Sequence, residues 1–281
     1  MKRLIFIFAW LSLAACSSAT ELNVMTFNIR LDTSDDGVNQ WSNRRERAAK
    51  VITLHDIDIF GTQEVLANQL NDLKQRLPDY QAVGVGREDG ATKGEYSAVF
   101  FKKERFTALS SGTFWLSETP EIAGSKGWDG ACERVATWVI LRDRSGVEVL
   151  FINTHLDHVG QIARREGVAL IIERIKTLRE GRAVILTGDF NATPDSEVIT
   201  HVIESGTLLD SKALASKIAG TSWSFSDFGE IPEARRPLLD YIFVSKDICV
   251  QRYEVLPQLL DGGYLSDHAP IMATLKLKKI K

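Results

Sequence analysis

Leu186-Thr187-Gly188-Asp189-Phe190-Asn191 is the stretch on which the reading of this chain turns. An apolar run from Ala183 to Leu186 delivers an aspartate beside a glycine, with an asparagine two residues on. Alternate side chains of an extended chain share a face, so Asp189 and Asn191 are expected to point one way while Phe190 turns into the core. A carboxylate and an amide meeting one substrate atom suit the activation of water. Asn28, Glu64, His155, Asp240 and the pair Asp267-His268 likewise stand at or just past short apolar runs.

Outward from that stretch, strand and helix patterns alternate. Glu21 to Ile29 alternates as a strand, Arg44 to Leu54 carries a helical apolar stripe, and Ile57 to Phe60 is a strand running into Gly61-Thr62-Gln63-Glu64. Val65 to Leu77 reads as a helix, with strands at Ala82 to Val85 and Ser97 to Phe101 around a glycine-punctuated loop. Thr137 to Leu141 and Val149 to Asn153 form a hairpin pattern. Arg164 to Leu178 is the longest amphipathic helix, followed by the strand Ala183 to Leu186. Tyr241 to Val244 and Ile271 to Leu277 supply late strands. Strands outnumber helices, which argues for an α/β protein of two packed sheets covered by helices.

The 281 residues show no linker at which to divide them, so one domain is expected. Apolar residues make up 44% and charged residues 25%, enough to bury a core and too apolar for disorder. The formal charge of −3 includes Lys2 and Arg3; without them it is −5, and no strongly basic surface is evident. That argues only weakly against a nuclease, because a bound cation supplies local positive charge.

Residues 1–15 read as a leader: a basic start, an apolar run from Leu4 to Leu13 too short to span a bilayer, then Ala14-Ala15. Leu13-Ala14-Ala15-Cys16 resembles a bacterial lipoprotein signal, with an ordinary secretory signal as the alternative. The resemblance implies lipidation of Cys16, a tether over 16–21, a domain over 22–281 and, through Ser17, delivery to the outer membrane. Cys132 and Cys249 make no disulfide framework or zinc site, and two buried free thiols are expected.

Seven segments together resemble the endonuclease/exonuclease/phosphatase superfamily: TFNIR at Asn28, GTQEV at Glu64, GEYSAVFF at Glu95, NTHLDH at His155, TGDFNATPDS at Asp189 and Asn191, LLDYIFVS at Asp240, and YLSDHAPI at Asp267 and His268. They stand in the family's order and span nearly the whole mature chain. The resemblance implies a four-layer α/β/β/α sandwich and a divalent-metal-dependent phosphoesterase. It assigns Glu64 as principal metal ligand, helped by Asn28 and Asp267, and all-oxygen donors favour Mg²⁺ or Mn²⁺. Asp189 would orient or deprotonate water and Asn191 would bond a phosphoryl oxygen. His268 would pair with Asp240, with a role as the water-activating base allowed as the alternative. His155 would be a second phosphate contact, oriented by Glu95.

Arg134 is a candidate phosphate clamp, because a guanidinium matches two phosphoryl oxygens. Trp128 and Trp41 could stack on a base or sugar, or simply anchor long loops. His158 divides evenly between a site residue and a satisfied core histidine, and Asp157 between support of the site and capping of a loop. Substrate stays open between an extracellular nuclease, a scavenging phosphatase and a phosphodiesterase acting on lipid or glycan head groups. Nucleic acid would be a substrate only, and a monomer is expected. Phe114-Trp115-Leu116 is a short candidate for membrane contact. The rival readings are a catalytically silent lipoprotein that binds a glycan or phosphate, and a glycosidase using two carboxylates.

Overall fold

In the computed structural model, which describes residues 20–277, the chain opens with β1 (Thr20–Asn28), α1 (Trp41–Leu54), β2 (Ile59–Gln63), α2 (Ala67–Arg76), β3 (Tyr80–Val83) and β4 (Val99–Lys102). It continues through β5 (Phe106–Trp115), β6 (Val135–Asp143), β7 (Glu148–His155), α3 (Gln161–Leu178), β8 (Ala183–Asp189), α4 (Glu197–Glu204) and β9 (Leu209–Asp210). Then come α5 (Ser211–Leu214), β10 (Lys217–Ala219), β11 (Asp240–Val244), β12 (Ile248–Val255), the hairpin of β13 (Leu259–Leu260) and β14 (Gly263–Tyr264), and β15 (Ile271–Leu277). The leader and Cys16 lie outside the described residues. The first strand already begins at Thr20, inside the expected tether.

Two large mixed sheets result. One has the order β10-β12-β15-β1-β2-β4-β3 and the other β5-β6-β7-β8-β11-β9. Helices cover their outer faces. Met25, Phe27 and Phe60 of the first sheet pack with Ala48, Ile52 and Leu73 of α1 and α2, while Val184 and Leu186 of the second share a cluster with Val168, Ile171 and Ile175 of α3. Leu22, Val24 and Ile59 join that second cluster from across the sandwich. This is the four-layer arrangement expected from the sequence.

Strand register, more than any single contact, positions the site. Each sheet contains a parallel pair joined by a helical crossover, β1 with β2 and β7 with β8. Parallel neighbours end at the same edge. Asn28 therefore lies level with Gln63, one residue before Glu64, and His155 lies level with Asp189. The antiparallel β11 starts where β8 ends, which sets Asp240 opposite Asp189. β15 starts opposite Thr26 near the end of β1, so the preceding loop brings Asp267 and His268 to the same edge.

A polar layer lies between the sheets just below that edge. Asn153 Oδ1 accepts from Gln63 Nε2 at 2.6 Å and from Thr187 Oγ1 at 3.0 Å, while Asn153 Nδ2 donates to Thr62 O at 2.8 Å. Gly61 makes room for it: a Cβ there would stand 2.2 Å from Asn153 Oδ1 and 2.5 Å from Thr187 Oγ1. Gly61→Ala should therefore cost about 2–4 kcal/mol, as overpacking and a broken buried hydrogen bond combine. Urea unfolding of the two proteins checks this, and a change below about 1 kcal/mol would show that the sheets part without strain.

Some elements differ from the sequence reading. β5 is not legible in the sequence because it is polar and small over Ser110 to Gly112 and exposes Leu109. Phe114 and Trp115, read as membrane-contact candidates, are buried at its end. Trp41 is also in the core, its indole N–H donating to Asp72 at 2.8 Å, and offers no stacking face. The two free cysteines are unpaired as expected, but Cys249 is exposed and Cys132 only half-buried. No helix among the described residues is long and apolar enough to cross a membrane.

Candidate active site

The edge where the strand ends converge holds a cavity of about 340 Å³ lined in part by Glu64, Asp189, Asp267, His155, His268 and Asn191. Asn28 and Asp240 stand behind its wall. Three residues here, Arg30, Glu64 and Asn191, adopt left-handed backbone with φ of 57°, 61° and 47°. Such conformations in non-glycine residues cost on the order of 1–3 kcal/mol each and persist where surroundings overdetermine them. The strand ends are bent so that their side chains face the cavity.

Asn191 shows the consequence. β8 ends at Asp189, and Asn191 reaches the cavity through its left-handed turn, not through strand alternation. Phe190 does turn into the core. The Asn191 backbone N–H donates to Asp189 Oδ1 at 2.9 Å. Its side-chain amide donates to His155 Nε2 and to Leu156 O, both at 3.0 Å. Both amide hydrogens are thus committed, so Asn191 as placed holds His155 and has no donor left for a phosphoryl oxygen.

That contact makes His155 Nε2 an acceptor and places the ring proton on Nδ1. Burial and the nearby Arg134 and Arg87 guanidiniums push the His155 pKa well below its ordinary value, in keeping with a neutral ring. His155 Nδ1 lies 3.9 Å from Glu95, too far for a hydrogen bond, and has no partner. Glu95 is held instead by Arg87 Nη1 at 2.7 Å. The expected orientation of His155 by Glu95 is therefore replaced by orientation through Asn191.

His268 differs in charge. Its Nδ1 meets Asp240 Oδ2 at 2.8 Å and its Nε2 lies 3.6 Å from Asp189 Oδ2. Burial opposes the imidazolium, but the Asp240 and Asp189 carboxylates outweigh it and hold the pKa well above its ordinary value. A cationic donor next to Asp189 suits a phosphoryl group.

The carboxylates are crowded. Burial and then Asp240 push Asp189 up to about 7, and burial pushes Asp267 up to about 6 with Glu64 adding to it. Glu64 accepts from Asn28 Nδ2 at 3.0 Å and from Leu31 N at 3.2 Å, with Arg30 at 4.0 Å. Asn28 Nδ2 also donates to Asp189 at 3.0 Å, while its Oδ1 is taken by Arg30 N. Asn28 therefore ties two carboxylates together as a donor and does not turn its oxygen towards them, unlike the ligand expected from the sequence. Buried carboxylates facing too few cations are the donor set a hard divalent cation requires, and Glu64 and Asp267 are the residues that fit it. Asp189, Asp240 and His268 are also close enough to share an ion. The 2.8 Å hydrogen bond between the last two already occupies those atoms, so the Glu64 side fits better.

Raised pKa values of Asp189 and Asp267 mean that the folded, metal-free chain binds more protons than the unfolded chain between the ordinary carboxylate range and about 7. Its stability should fall as pH rises from about 4 to about 7 through these groups. His268 acts in the same direction, and His155 opposes it below its ordinary value. Thermal unfolding in chelator should show that fall, and Mg²⁺ should flatten it; a slope unchanged by Mg²⁺ would place the ion elsewhere.

Arg134 lines the cavity, with Nη2 2.9 Å from His158 Nδ1 and Nε 3.6 Å from Asp157. Asp157 is the cap of a loop: it accepts from the backbone N–H of Gly160, Val159 and Ala131 at 2.7, 2.9 and 3.0 Å. Those bonds, against the cost of burial, hold its pKa well below the ordinary range. Trp128 is half-buried on a loop tied to Glu118 and is not part of the cavity lining. His158 does line it. Two lining arginines escaped the sequence reading. Arg30 sits in the quoted TFNIR, two residues past Asn28, where that short spacing was the available signal; Arg87, in a loop of glycines and charges, carried none.

The family model described as the endonuclease/exonuclease/phosphatase family matches residues 25–268. No curated protein matches the chain in sequence. Among solved structures, the endonuclease/exonuclease/phosphatase from Bacteroides vulgatus is 40% identical, with 92% of this chain and 100% of that one covered at a TM-score of 0.90. A mannosyl-6-phosphatase from Bacteroides thetaiotaomicron VPI-5482 is 36% identical, covering 90% and 99% at a TM-score of 0.86. The catalytic domain of human Nocturnin, with bound sulfate, is 22% identical at a TM-score of 0.71 and shares the fold. With acidic, amide and imidazole groups gathered at one rim and the match running from the first strand to His268, this chain belongs to the endonuclease/exonuclease/phosphatase family of phosphoester hydrolases.

Proposed function

We propose that this chain hydrolyses a phosphomonoester carried by a carbohydrate, with Mg²⁺ or Mn²⁺ held by Glu64 and Asp267. One observation carries the reading. The cavity, at about 340 Å³, is near the small end of the roughly 300–1,000 Å³ typical of ligand pockets, which suits a terminal phosphate and one ring better than a polymer backbone. The likeness to a mannosyl-6-phosphatase at 36% identity supports it.

In this reading Asp189 orients and deprotonates the attacking water, and its raised pKa of about 7 suits a base working near neutrality. His268, charged against Asp240, stabilises the phosphoryl oxygens as negative charge builds on them. His155 offers its unpartnered Nδ1–H as a neutral donor. The bound cation would neutralise phosphoryl oxygens and lower the pKa of a coordinated water. A lipid anchor at Cys16 and an outer-membrane location belong to the same reading, and they rest on the leader sequence alone.

The test is turnover by the purified chain, with Mg²⁺ or Mn²⁺, of mannose 6-phosphate, p-nitrophenyl phosphate, bis-p-nitrophenyl phosphate and single-stranded DNA. Phosphomonoesters should be hydrolysed preferentially, and excess chelator should abolish the activity. Preference for either diester would overturn the reading in favour of a phosphodiesterase.

A further inference from the structure

Part of the cavity wall lies outside the machinery described so far. Arg87 Nη1 donates to Glu95 at 2.7 Å, yet Arg87 Nε is buried without a partner. Arg134 is 6% exposed, and its Nε and Nη1 also have no hydrogen-bond partner. These guanidiniums do not sit there by chance of a loose surface. The Arg87 backbone is pinned on both sides, its N–H to Glu95 O at 3.1 Å and its carbonyl by the Trp115 indole at 2.6 Å, and Arg134 O accepts from Leu116 N at 2.7 Å. Buried donors held in place and left unpaired are costly unless a ligand or ordered water satisfies them.

The charge balance indicates what that ligand is. Arg87 faces Glu95, and Arg134 faces Asp157 at 3.6 Å, so this wall is close to neutral and gives a second anion little net attraction. Neutral hydroxyl groups fit better. A hydroxyl accepts from a guanidinium and donates to a carboxylate such as Glu95. Leu31, Phe225 and Leu239 add apolar surface to the same cavity, which suits the C–H face of a ring. We propose that Arg87, Glu95 and Arg134 form a subsite for the leaving group, reading adjacent hydroxyls of a sugar ring while Phe225 and Leu239 cover its carbon face. This rests on the phosphomonoester reading above, and within it Arg87 sets the preference for a sugar over other alcohols.

The test compares mannose 6-phosphate with p-nitrophenyl phosphate, whose leaving group has no ring hydroxyls, on the wild type and on Arg87→Gln and Arg87→Lys. The ratio of their kcat/KM values should fall at least about tenfold in Arg87→Gln, since a site built to bond a hydroxyl discriminates strongly once that bond is lost. Arg87→Lys should recover part of it. In the wild type, 2-deoxyglucose 6-phosphate should be a poorer substrate than glucose 6-phosphate, a readout that does not depend on the variants folding. A ratio unmoved by Arg87→Gln, or a wild type indifferent to ring hydroxyls, overturns the subsite and leaves the phosphomonoesterase standing. A wild type that cleaves diesters and no monoester overturns the earlier reading first, and this one with it.

Discussion

Asp189→Asn is expected to lower kcat by about 10³-fold or more while the chain stays folded, because the substitution keeps the shape and removes the base. The carboxylate is 1% exposed and stands 3.6 Å from His268, 3.5 Å from His155 and 3.0 Å from the Asn28 amide. No other carboxylate in the cavity has this set of neighbours. KM for a phosphomonoester should change far less than kcat, since the phosphate-binding cations remain. Steady-state kinetics with a thermal-unfolding control checks both. A loss under about tenfold would move the base to another group, and a parallel loss of folding would make the residue structural.

Glu64→Gln should raise the Mg²⁺ or Mn²⁺ concentration for half-maximal activity by more than the roughly 10–100-fold that follows loss of an outer-sphere partner. The charge is what matters. Glutamine keeps an oxygen and can still bond Leu31 N, but it removes one negative charge and turns an N–H₂ towards Asn28, which already donates there at 3.0 Å. Saturating metal should restore part of kcat, whereas Asp189→Asn should not respond to added metal. Activity titrations and calorimetric metal binding separate the two. Unaltered metal affinity in Glu64→Gln would shift the ion towards Asp189, Asp240 and His268.

Both effects depend on geometry that only the fold supplies, yet Asp189 and Glu64 themselves are legible in the sequence. The positions of Asn28, Glu64, His155 and Asp189 follow from apolar runs ending in polar residues, while Asp240 opens β11. Where a run was long and apolar on both faces, as at Ala183 to Leu186, the element was plain; where one face was polar and small, as in β5, it was not. Arg87 was hidden for the same reason. A loop residue earns its place through contacts with Glu95 and Trp115 that lie far from any periodic pattern.

Local chemistry written along the chain thus determined the family, the layered architecture and the cast of ionisable groups, since each depends on patterns within a few residues. Tertiary structure decided what those groups do. Asn28 became a donor between two carboxylates, Asn191 the support of His155, Glu95 the partner of Arg87, and Trp41 a core residue. The reason is physical: hydrogen-bond direction, protonation and burial depend on which strands lie side by side and how their ends turn, and those neighbours come from parts of the chain as far apart as Asn28 and Asp189.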